Sequence, residues 1–319
     1  MKFRTVGRTG LRCSEIGLGT WAFASQIYGK VEPTEALATI HAALAAGVNL
    51  FDTAPLYGSR ERDGIAEEIL GRGLGLDRNR VFVSSKFGRY ATDDAAPHFH
   101  AACARESVEG SLRRIGTDHI DILFFHSPFG EDDIHDDVWT ELDRLKQEGK
   151  VRFIGHSISK FADTQAMARR WADERRVDVV QVVYSLMNRE ARSFIHELGS
   201  EGIGIVARES MANGFLSGTV TRDTVFESGH LNARYSREEI EARVDYIEQL
   251  EFLVRPPVMN LPQAAFRWVL DDPNVSFVLS GASNPEQLRD GLAVSDMAGF
   301  TPDELHRVDD VHVRDFQAA

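Results

Sequence analysis

Helical patterns alternate with short apolar runs along most of this chain, and this alternation limits the possible folds more than any other feature of the sequence. In the first cycle Leu37, Ile40 and Leu44 recur at helical spacing, and the apolar run 48–51 follows. The later apolar runs are 81–83, 120–125, 151–154, 177–180, 203–206 and 276–279. With 16–18 counted as the first, the chain has eight such runs, which are typical of strands buried on both faces of a parallel sheet.

Eight strand and helix units predict an α/β fold whose strands close into a (β/α)8 barrel, a TIM barrel. The number of strands does not by itself exclude an open doubly wound sheet, which stays the alternative. Residues 3–15, with a turn at 7–10, predict an N-terminal β-hairpin, and Thr301 followed by Pro302 predicts a C-terminal extra helix over about 302–312. No linker or repeat divides the chain, so we expect one domain over residues 1–319.

The composition and charge of the chain limit its partners. The 319 residues are 43% hydrophobic and 27% charged, as in ordinary globular proteins. The formal net charge is -13, whereas proteins that bind nucleic acid or an anionic membrane need a basic surface, so we expect neither partner. Two cysteines, Cys13 and Cys103, form no disulfide framework, and no signal peptide or membrane-spanning run is present. We therefore expect a cytoplasmic protein with a small-molecule substrate, and both a monomer and a homo-oligomer stay open.

Polar residues follow the apolar runs where a barrel carries its active site, at the carboxyl ends of the strands. Asp52 and Tyr57 follow the second run, Lys86 follows the third and His126 the fourth. An ammonium paired with Asp52 and held beside the Tyr57 hydroxyl would lower the phenol pKa from its ordinary value of about 10. Tyr57 is then a proton donor near neutral pH, and a neutral His126 can polarise a carbonyl oxygen. Because no side chain here carries redox chemistry, a carbonyl reduction needs a hydride from a nicotinamide cofactor.

Further motifs accompany these four residues. They are 7–11, 17–21, 51–54, 57–58, 85–86, 121–126, 155–157, 181–186, 214–218 and 281–288. Together these segments resemble the aldo-keto reductase superfamily over nearly the whole chain. The resemblance implies an NAD(P)H-dependent oxidoreductase that interconverts an aldehyde or ketone, including a sugar, and the alcohol by hydride transfer. It also implies a catalytic tetrad of Asp52, Tyr57, Lys86 and His126, with Tyr57 as general acid in reduction and general base in oxidation.

The resemblance further implies that the cofactor lies across the barrel mouth without a Rossmann domain. The implied cofactor-binding residues are Gly19, Thr20, Trp21, Asp52, Ser157, Gln181, Arg208, Ser210, Asn213, Gly214, Leu216, Gly218, Gly281, Ser283 and Gln287. The expected substrate contacts are Trp21, Tyr57, Phe87, His126 and Phe129. Asn284 and Pro285 predict the start of a helix whose free backbone N–H groups can bind a phosphate. The segment 219–235 either folds over the cofactor as a clasp or forms an ordinary surface loop.

The chain departs from the family pattern at several cofactor positions. Ile158 stands where many members have Asn, and Arg208 stands where an aromatic residue often stacks on the nicotinamide. Gly281 and Gln287 replace the Lys and Arg that many members use for a 2′-phosphate, and Gly291 replaces a frequent adenine-binding Asn. We nevertheless expect NADP(H), from the habit of the superfamily, with NAD(H) as the alternative. The nearby cations able to replace the missing ones are Arg222, Arg234 and Arg237.

Two local patterns resemble other kinds of site. The glycine-rich segment 71–75 follows a helix and precedes a strand, which is the reverse of the order in a dinucleotide-binding fingerprint. His98 and His100 are spaced like the paired histidines of metal-dependent barrel hydrolases, but the other expected ligands are missing, so we expect no metal. The alternative function is a cofactor-binding redox-sensing or regulatory subunit with little turnover. The complete tetrad favours the enzyme.

Overall fold

A short antiparallel hairpin closes the bottom of the molecule. The structure is a computed structural model that describes residues 1–24, 30–93 and 98–316. In the hairpin β1 (Phe3–Thr5) pairs with β2 (Arg12–Ser14), as the sequence predicted. Val6, Leu11 and Cys13 of this region are buried and pack against side chains from inside the barrel above. The hairpin therefore excludes water from the amino ends of the barrel strands.

Eight parallel strands form a closed barrel in which each strand pairs with its neighbours in the chain and the last pairs with the first. They are β3 (Ile16–Gly19), β4 (Leu50–Asp52), β5 (Phe82–Phe87), β6 (Ile120–His126), β7 (Val151–Ser157), β8 (Val179–Val183), β9 (Gly204–Arg208) and β10 (Phe277–Ser280). This closure confirms the predicted TIM barrel and excludes the open sheet. Several strands extend past the apolar runs of the sequence and include the polar residues that follow those runs.

A layer of helices surrounds the barrel. The helices are α1 (Pro33–Ala45), α2 (Ile65–Leu74), α3 (Ala101–Ile115), α4 (Asp137–Gln147), α5 (Phe161–Asp173), α6 (Arg192–Ser200), α7 (Arg237–Glu248), α8 (Leu261–Asp271), α9 (Pro285–Leu292) and α10 (Pro302–Asp310). Helix α10 confirms the predicted C-terminal helix and ends two residues earlier than expected. In the described part of the chain, no helix combines the length and the apolar character needed to cross a membrane.

The alternation of side chains along the strands separates two layers of packing. On β6, Ile122 and Phe124 belong to the cluster inside the barrel, while Leu123 and Phe125 belong to the cluster between the barrel and the helices. Because this alternation has a period of two, the next inward position after Phe124 is His126, at the carboxyl end of the strand. The same rule places Lys86 of β5 inward, opposite Phe124 in the strand register. The barrel thus brings polar strand ends together above an apolar floor.

Candidate active site

A buried ion pair lies at the carboxyl ends of β4 and β5. Lys86 Nζ is 2.6 Å from Asp52 Oδ2, and the two side chains are 1% and 4% exposed. Lys86 also donates a hydrogen bond to the Thr53 carbonyl at 3.0 Å, and Ser84 Oγ donates to Asp52 Oδ1 at 2.7 Å. Both ions therefore have further hydrogen-bond partners, which a buried pair needs in order to offset its desolvation. Burial lowers the pKa of Lys86, but the neighbouring Asp52 and Tyr57 outweigh it, so the net pKa is raised and Lys86 stays an ammonium.

Tyr57 lies above this ion pair, on the loop that follows β4. Lys86 Nζ is 4.8 Å from the centre of the Tyr57 ring. On its other sides the ring stacks against Trp21 at 6.1 Å between centroids and meets the edge of the His126 ring at 6.0 Å. Two of the other three tetrad side chains, Lys86 and His126, therefore face Tyr57, which is itself 9% exposed.

The pKa of Tyr57 differs from the sequence-based expectation. Burial raises it above its usual value because the phenolate is poorly solvated there, and the Asp52 carboxylate raises it further. Lys86 and Arg208 lower it, but they do not compensate for the burial. The expectation that the ammonium lowers the Tyr57 pKa below 10 was therefore wrong in its net direction. Tyr57 is protonated at neutral pH and carries a proton to donate.

His126 is a neutral imidazole at the end of β6. Its side chain is buried, and burial lowers its pKa well below the usual value for histidine. The cations Lys86, Arg89 and Arg208 lower the pKa further. Its buried Nδ1 atom has no hydrogen-bond partner in the described part of the chain. A neutral ring donates one N–H, which is the form that can polarise a carbonyl oxygen without competing for the proton of Tyr57.

A cavity of about 2210 Å³ opens above the tetrad and reaches the start of α9. All four tetrad residues and the expected substrate contacts Trp21 and Phe129 line it. The expected cofactor residues that line it are Gly19, Trp21, Asp52, Ser157, Gln181, Arg208, Ser210, Asn213, Gly214, Gly281, Ser283 and Gln287. The volume exceeds that of pockets for drug-sized ligands, roughly 300–1,000 Å³, so it leaves room for an extended dinucleotide and a small substrate together.

Four of the expected contacts lie outside the cavity lining. Phe87 is fully buried and packs against Phe99 and Phe125, at 5.5 and 4.6 Å between ring centroids. This placement corrects the expectation, because Phe87 follows the inward Lys86 and so points outward into the helix layer. Thr20 is fully buried, and its hydroxyl donates to the Asp52 carbonyl at 3.0 Å. The other two are the fully buried Leu216 and the exposed Gly218.

Polar groups on the cavity floor fit the amide end of a nicotinamide cofactor. Ser157 Oγ donates to Gln181 Oε1 at 3.0 Å, and Gln181 Nε2 lies 3.4 Å from Asp52 Oδ1. The strand register sets this arrangement, since Ser157 pairs with His126 on one side and with Gln181 on the other. The side chains of Ser157, Gln181 and Asp52 are thus held in place by one another. Their donors and acceptors match those of a carboxamide.

The far end of the cavity fits the phosphates of a dinucleotide. Asn284 caps α9, and its side chain accepts a hydrogen bond from the Gln287 N–H at 2.9 Å. Pro285 has no N–H and the Leu288 N–H bonds the Asn284 carbonyl, so Glu286 keeps a free N–H in this turn. Ser283 and Glu286 both line the cavity. Arg289 and Asp290 also line this end.

The three arginines proposed as substitutes for the missing cations are held by other groups. Arg222 pairs with Asp245 and Glu248 of α7. Arg237 pairs with Asp223 and Glu241. Arg234 donates to the Tyr235 hydroxyl at 2.6 Å. Two of these three cations are therefore neutralised by carboxylates in this structure.

The loop after β9 has unusual backbone conformations beside the cavity. Glu209, Ala212 and Asn213 have φ values of 54°, 47° and 55°, in the region that residues other than glycine rarely adopt. Ser127, next to His126, has a φ of 53°. Strain of this kind persists where the surroundings fix the chain, and it concentrates at ligand-binding sites. Its position around one cavity supports a binding role for this loop.

The segment 219–235 forms one wall of the cavity. Val220, Phe226, Leu231 and Asn232 are among its lining residues. Asn232 is buried, and its Nδ2 donates to the Asn213 carbonyl at 2.9 Å, which fastens the segment to the loop after β9. The segment is thus placed beside the volume in which a cofactor would lie.

The paired histidines and the glycine-rich segment, which resemble other kinds of site in the sequence, have structural roles. His100 Nδ1 accepts a hydrogen bond from the Cys103 N–H and caps α3, while His98 Nε2 lies 3.4 Å from Asp93 Oδ2. Across the described ranges, no group of three or more metal-binding side chains comes together. In the segment 71–75, two glycines lie within α2 and Gly75 ends it.

Sequence reasoning missed several residues that complete the site. Ser84 holds Asp52, Glu209 pairs with Arg208, and Asn232 fastens the wall segment. For Ser84 the alternation along β5 was the available signal, because it lies two positions before Lys86 and so faces the same way. For Asn232 no signal existed in the sequence, since its contact depends on how a long loop folds back.

Similarity to known proteins agrees with this geometry. A family model described as "Aldo/keto reductase family" matches residues 15–313. The chain is 31% identical over 317 residues to the NADH-specific methylglyoxal reductase of Escherichia coli (strain K12), covering 92% of this chain and 93% of that protein. It is 29% identical over 309 residues to the aldo-keto reductase YhdN of Bacillus subtilis (strain 168), covering 94% and 90%. The structure of the glycerol dehydrogenase AKR11B4 from Gluconobacter oxydans matches with a TM-score of 0.82 and 28% identity, over 97% of this chain and 94% of that one.

Proposed function

The chain belongs to the aldo/keto reductase family, and from this premise we propose that it reduces an aldehyde or ketone to the alcohol with a hydride from NAD(P)H and a proton from Tyr57. The reaction balances as carbonyl plus NAD(P)H plus H⁺, giving alcohol plus NAD(P)⁺. The observation that carries the proposal is the protonated Tyr57 placed between a buried Lys86–Asp52 pair and a neutral His126. Nicotinamide chemistry supplies the hydride, and the protein supplies position and the proton.

In this mechanism the carbonyl oxygen lies against the Tyr57 hydroxyl and the N–H of His126. As negative charge develops on that oxygen, the O–H bond of Tyr57 breaks and a new O–H bond forms on the product. The phenolate left behind is stabilised by Lys86, whose own charge is balanced by Asp52. The Lys86 ammonium therefore stabilises Tyr57 most as the phenolate forms. This attraction is stronger in the transition state than in the ground state, so it lowers the barrier to proton transfer. Solvent then returns a proton to Tyr57.

Ser157 and Gln181 are the residues we assign to the carboxamide of the cofactor, because their paired donors and acceptors are fixed on the cavity floor. The first turn of α9 is assigned to a phosphate, since its free N–H belongs to Glu286, which lines the cavity. Arg208 donates to the Ile158 carbonyl at 3.0 Å, pairs with Glu209, and forms the wall where family members often have an aromatic ring.

We propose NAD(H) as the preferred cofactor, in place of the NADP(H) expected from the habit of the superfamily. The α9 end of the cavity has two carboxylates, Glu286 and Asp290, against the single arginine Arg289 among its described lining residues. A dianionic 2′-phosphate is disfavoured beside carboxylates, whereas a ribose hydroxyl is not. The NADH-specific name of the Escherichia coli relative supports the same choice.

The cofactor choice is tested by titrating NADH and NADPH while measuring the quenching of tryptophan fluorescence. We expect a lower Kd for NADH, and we expect Glu286→Gln to narrow the difference by strengthening NADPH binding. Tighter binding of NADPH by the unaltered protein would contradict the proposal.

The reaction itself is tested by following NADH absorbance with a panel of aldehydes, ketones and sugars that includes methylglyoxal and glyceraldehyde. Consumption of NADH with one alcohol formed per NADH supports the reductase. Binding of NADH without turnover on any member of the panel would instead support the regulatory subunit, the alternative function that the sequence left open.

A further inference from the structure

Arg89 occupies an unusual position at the mouth of the cavity. It follows β5 by two residues, directly after Gly88, whose φ is +95°. A Cβ at Gly88 would come within 2.1 Å of the Phe99 ring, so only glycine permits this turn. The turn brings Arg89 into the cavity lining, where its guanidinium carbon is 5.5 Å from the centre of the Phe129 ring.

The guanidinium of Arg89 makes no hydrogen bond or ion pair within the chain that the structure describes, although the residue is partly buried. The two other cations around Tyr57 and His126 are both balanced. Lys86 pairs with Asp52, and Arg208 pairs with Glu209. A guanidinium has five N–H donors, and burying part of it without an acceptor costs free energy. Of these three described cations, Arg89 is therefore the one without a carboxylate partner.

The other acidic residues that line the cavity lie on other elements and leave Arg89 unpaired. Glu286 and Asp290 lie on α9. Asp163 lies on α5, Glu190 follows β8, and Asp315 belongs to the C-terminal segment. Burial lowers the pKa of Arg89, and the titratable neighbour that raises it is Tyr57, an uncharged phenol at neutral pH. Among the described residues no acceptor faces the Arg89 guanidinium, so its donors are available to a ligand in the cavity.

We propose that Arg89 forms an anion-binding subsite and that the preferred carbonyl substrate carries a carboxylate or phosphate group. The inference rests on the proposed reduction at Tyr57. A substrate whose carbonyl oxygen meets Tyr57 and His126 places its other end toward the rim that Arg89 and Phe129 form. A planar guanidinium binds either oxyanion through two parallel N–H donors, and Phe129 flanks the aliphatic part of the ligand. The anionic group takes no part in the chemistry and serves to orient the carbonyl.

The test compares matched substrates that differ in charge. The carboxylate arm uses 4-oxobutanoate and its methyl ester, and the phosphate arm uses glyceraldehyde 3-phosphate and glyceraldehyde. We expect the charged member of at least one pair to have the higher kcat/KM in the unaltered protein. In Arg89→Gln that kcat/KM falls by roughly ten- to a hundredfold, as expected for a lost charge-assisted hydrogen bond, while the value for the neutral member changes less than about threefold.

Arg113→Gln is the matched control. Arg113 is exposed on α3, away from the cavity lining, and its loss changes the net charge by the same amount. Equal losses for both substrates of a pair in Arg89→Gln, or a neutral member preferred in both arms, would overturn the inference. The arm that shows the selective loss identifies whether a carboxylate or a phosphate is bound.

A binding measurement separates this inference from the proposed reaction. Succinate and inorganic phosphate are titrated against the protein loaded with oxidised cofactor, with tryptophan fluorescence as the readout. The subsite is supported if the affinity for either anion falls in Arg89→Gln and is unchanged in Arg113→Gln. This result would hold even if no aldehyde were reduced. Equal affinity of both anions for the two variants would overturn it. If no aldehyde were reduced but the anions still bound selectively through Arg89, the proposed reductase activity would be rejected and the anion-binding subsite would stand.

Discussion

At the scale of single residues, the proposed reaction depends most directly on the hydroxyl group of Tyr57. Tyr57→Phe removes the proton donor and keeps the ring between Trp21 and His126. We expect kcat for reduction to fall by about 10²- to 10⁴-fold while the Kd for the dinucleotide stays within about twofold. Steady-state kinetics and fluorescence titration measure the two quantities. Tyr90→Phe is the control, because that hydroxyl bonds Ser107 at 2.6 Å; turnover near the native rate in Tyr57→Phe would refute the assignment.

The protonation states of Tyr57 and His126 lead to a pH profile. The pKa of Tyr57 is raised, so the phenol needed for reduction persists through neutral pH and is lost only above its ordinary value of about 10. The pKa of His126 is lowered, so its ring is already neutral at pH 6 and does not titrate near 6.5. We expect kcat/KM for reduction to be level from about pH 6 to 9. A rise or fall near pH 6.5 that disappears in His126→Gln would show that the imidazole is charged in the free enzyme.

Residue by residue, the sequence was a good guide to which residues lie at strand ends and a weaker guide to their directions. Asp52, Lys86 and His126 were predicted correctly to lie at the carboxyl ends of three neighbouring strands. Phe87 was expected to contact substrate because it adjoins Lys86, but adjacent strand residues point to opposite sides. The Tyr57 pKa was misjudged for another reason. The attraction of an ammonium can be inferred from residue types, whereas the extent of burial, which decided the sign, requires the fold.

At the scale of elements, we expect the N-terminus of α9 to affect both the stability of the helix and the binding of the dinucleotide. Asn284→Ala removes the acceptor for the Gln287 N–H, which costs about 1 kcal/mol of unfolding free energy for a helix cap. Thr301→Ala removes the corresponding cap of α10, which, unlike α9, contributes no residue to the cavity lining. We expect similar losses of stability by urea denaturation in both variants, and weaker dinucleotide binding only in Asn284→Ala. Equal dinucleotide affinities in the two variants would show that α9 does not bind the phosphates.

For the whole molecule, the fold could be predicted from the sequence because the same strand and helix pattern occurs eight times, and each occurrence predicts one unit of the barrel. An error in one strand boundary, such as the prediction of 151–154 where β7 is Val151–Ser157, did not change the topology. The wall segment 219–235 is different, because it occurs once and has no periodicity. Its place beside the cavity depends on the contact between Asn232 and the Asn213 carbonyl, 19 positions apart in the chain. Repeated elements are therefore predictable here, and single long loops are not.

The net charge of the whole molecule opposes the approach of an anionic dinucleotide. The formal charge is -13, and of the five described cationic side chains that line the cavity, Lys86 and Arg208 are already paired with carboxylates. At about 0.01 M ionic strength this field extends roughly 30 Å, and at about 0.1 M only roughly 10 Å. Added salt should therefore raise the association rate constant severalfold, and more for NADPH than for NADH because of the additional phosphate. Stopped-flow fluorescence measures both constants. If both fell with salt, attraction by the local cations would outweigh the long-range repulsion.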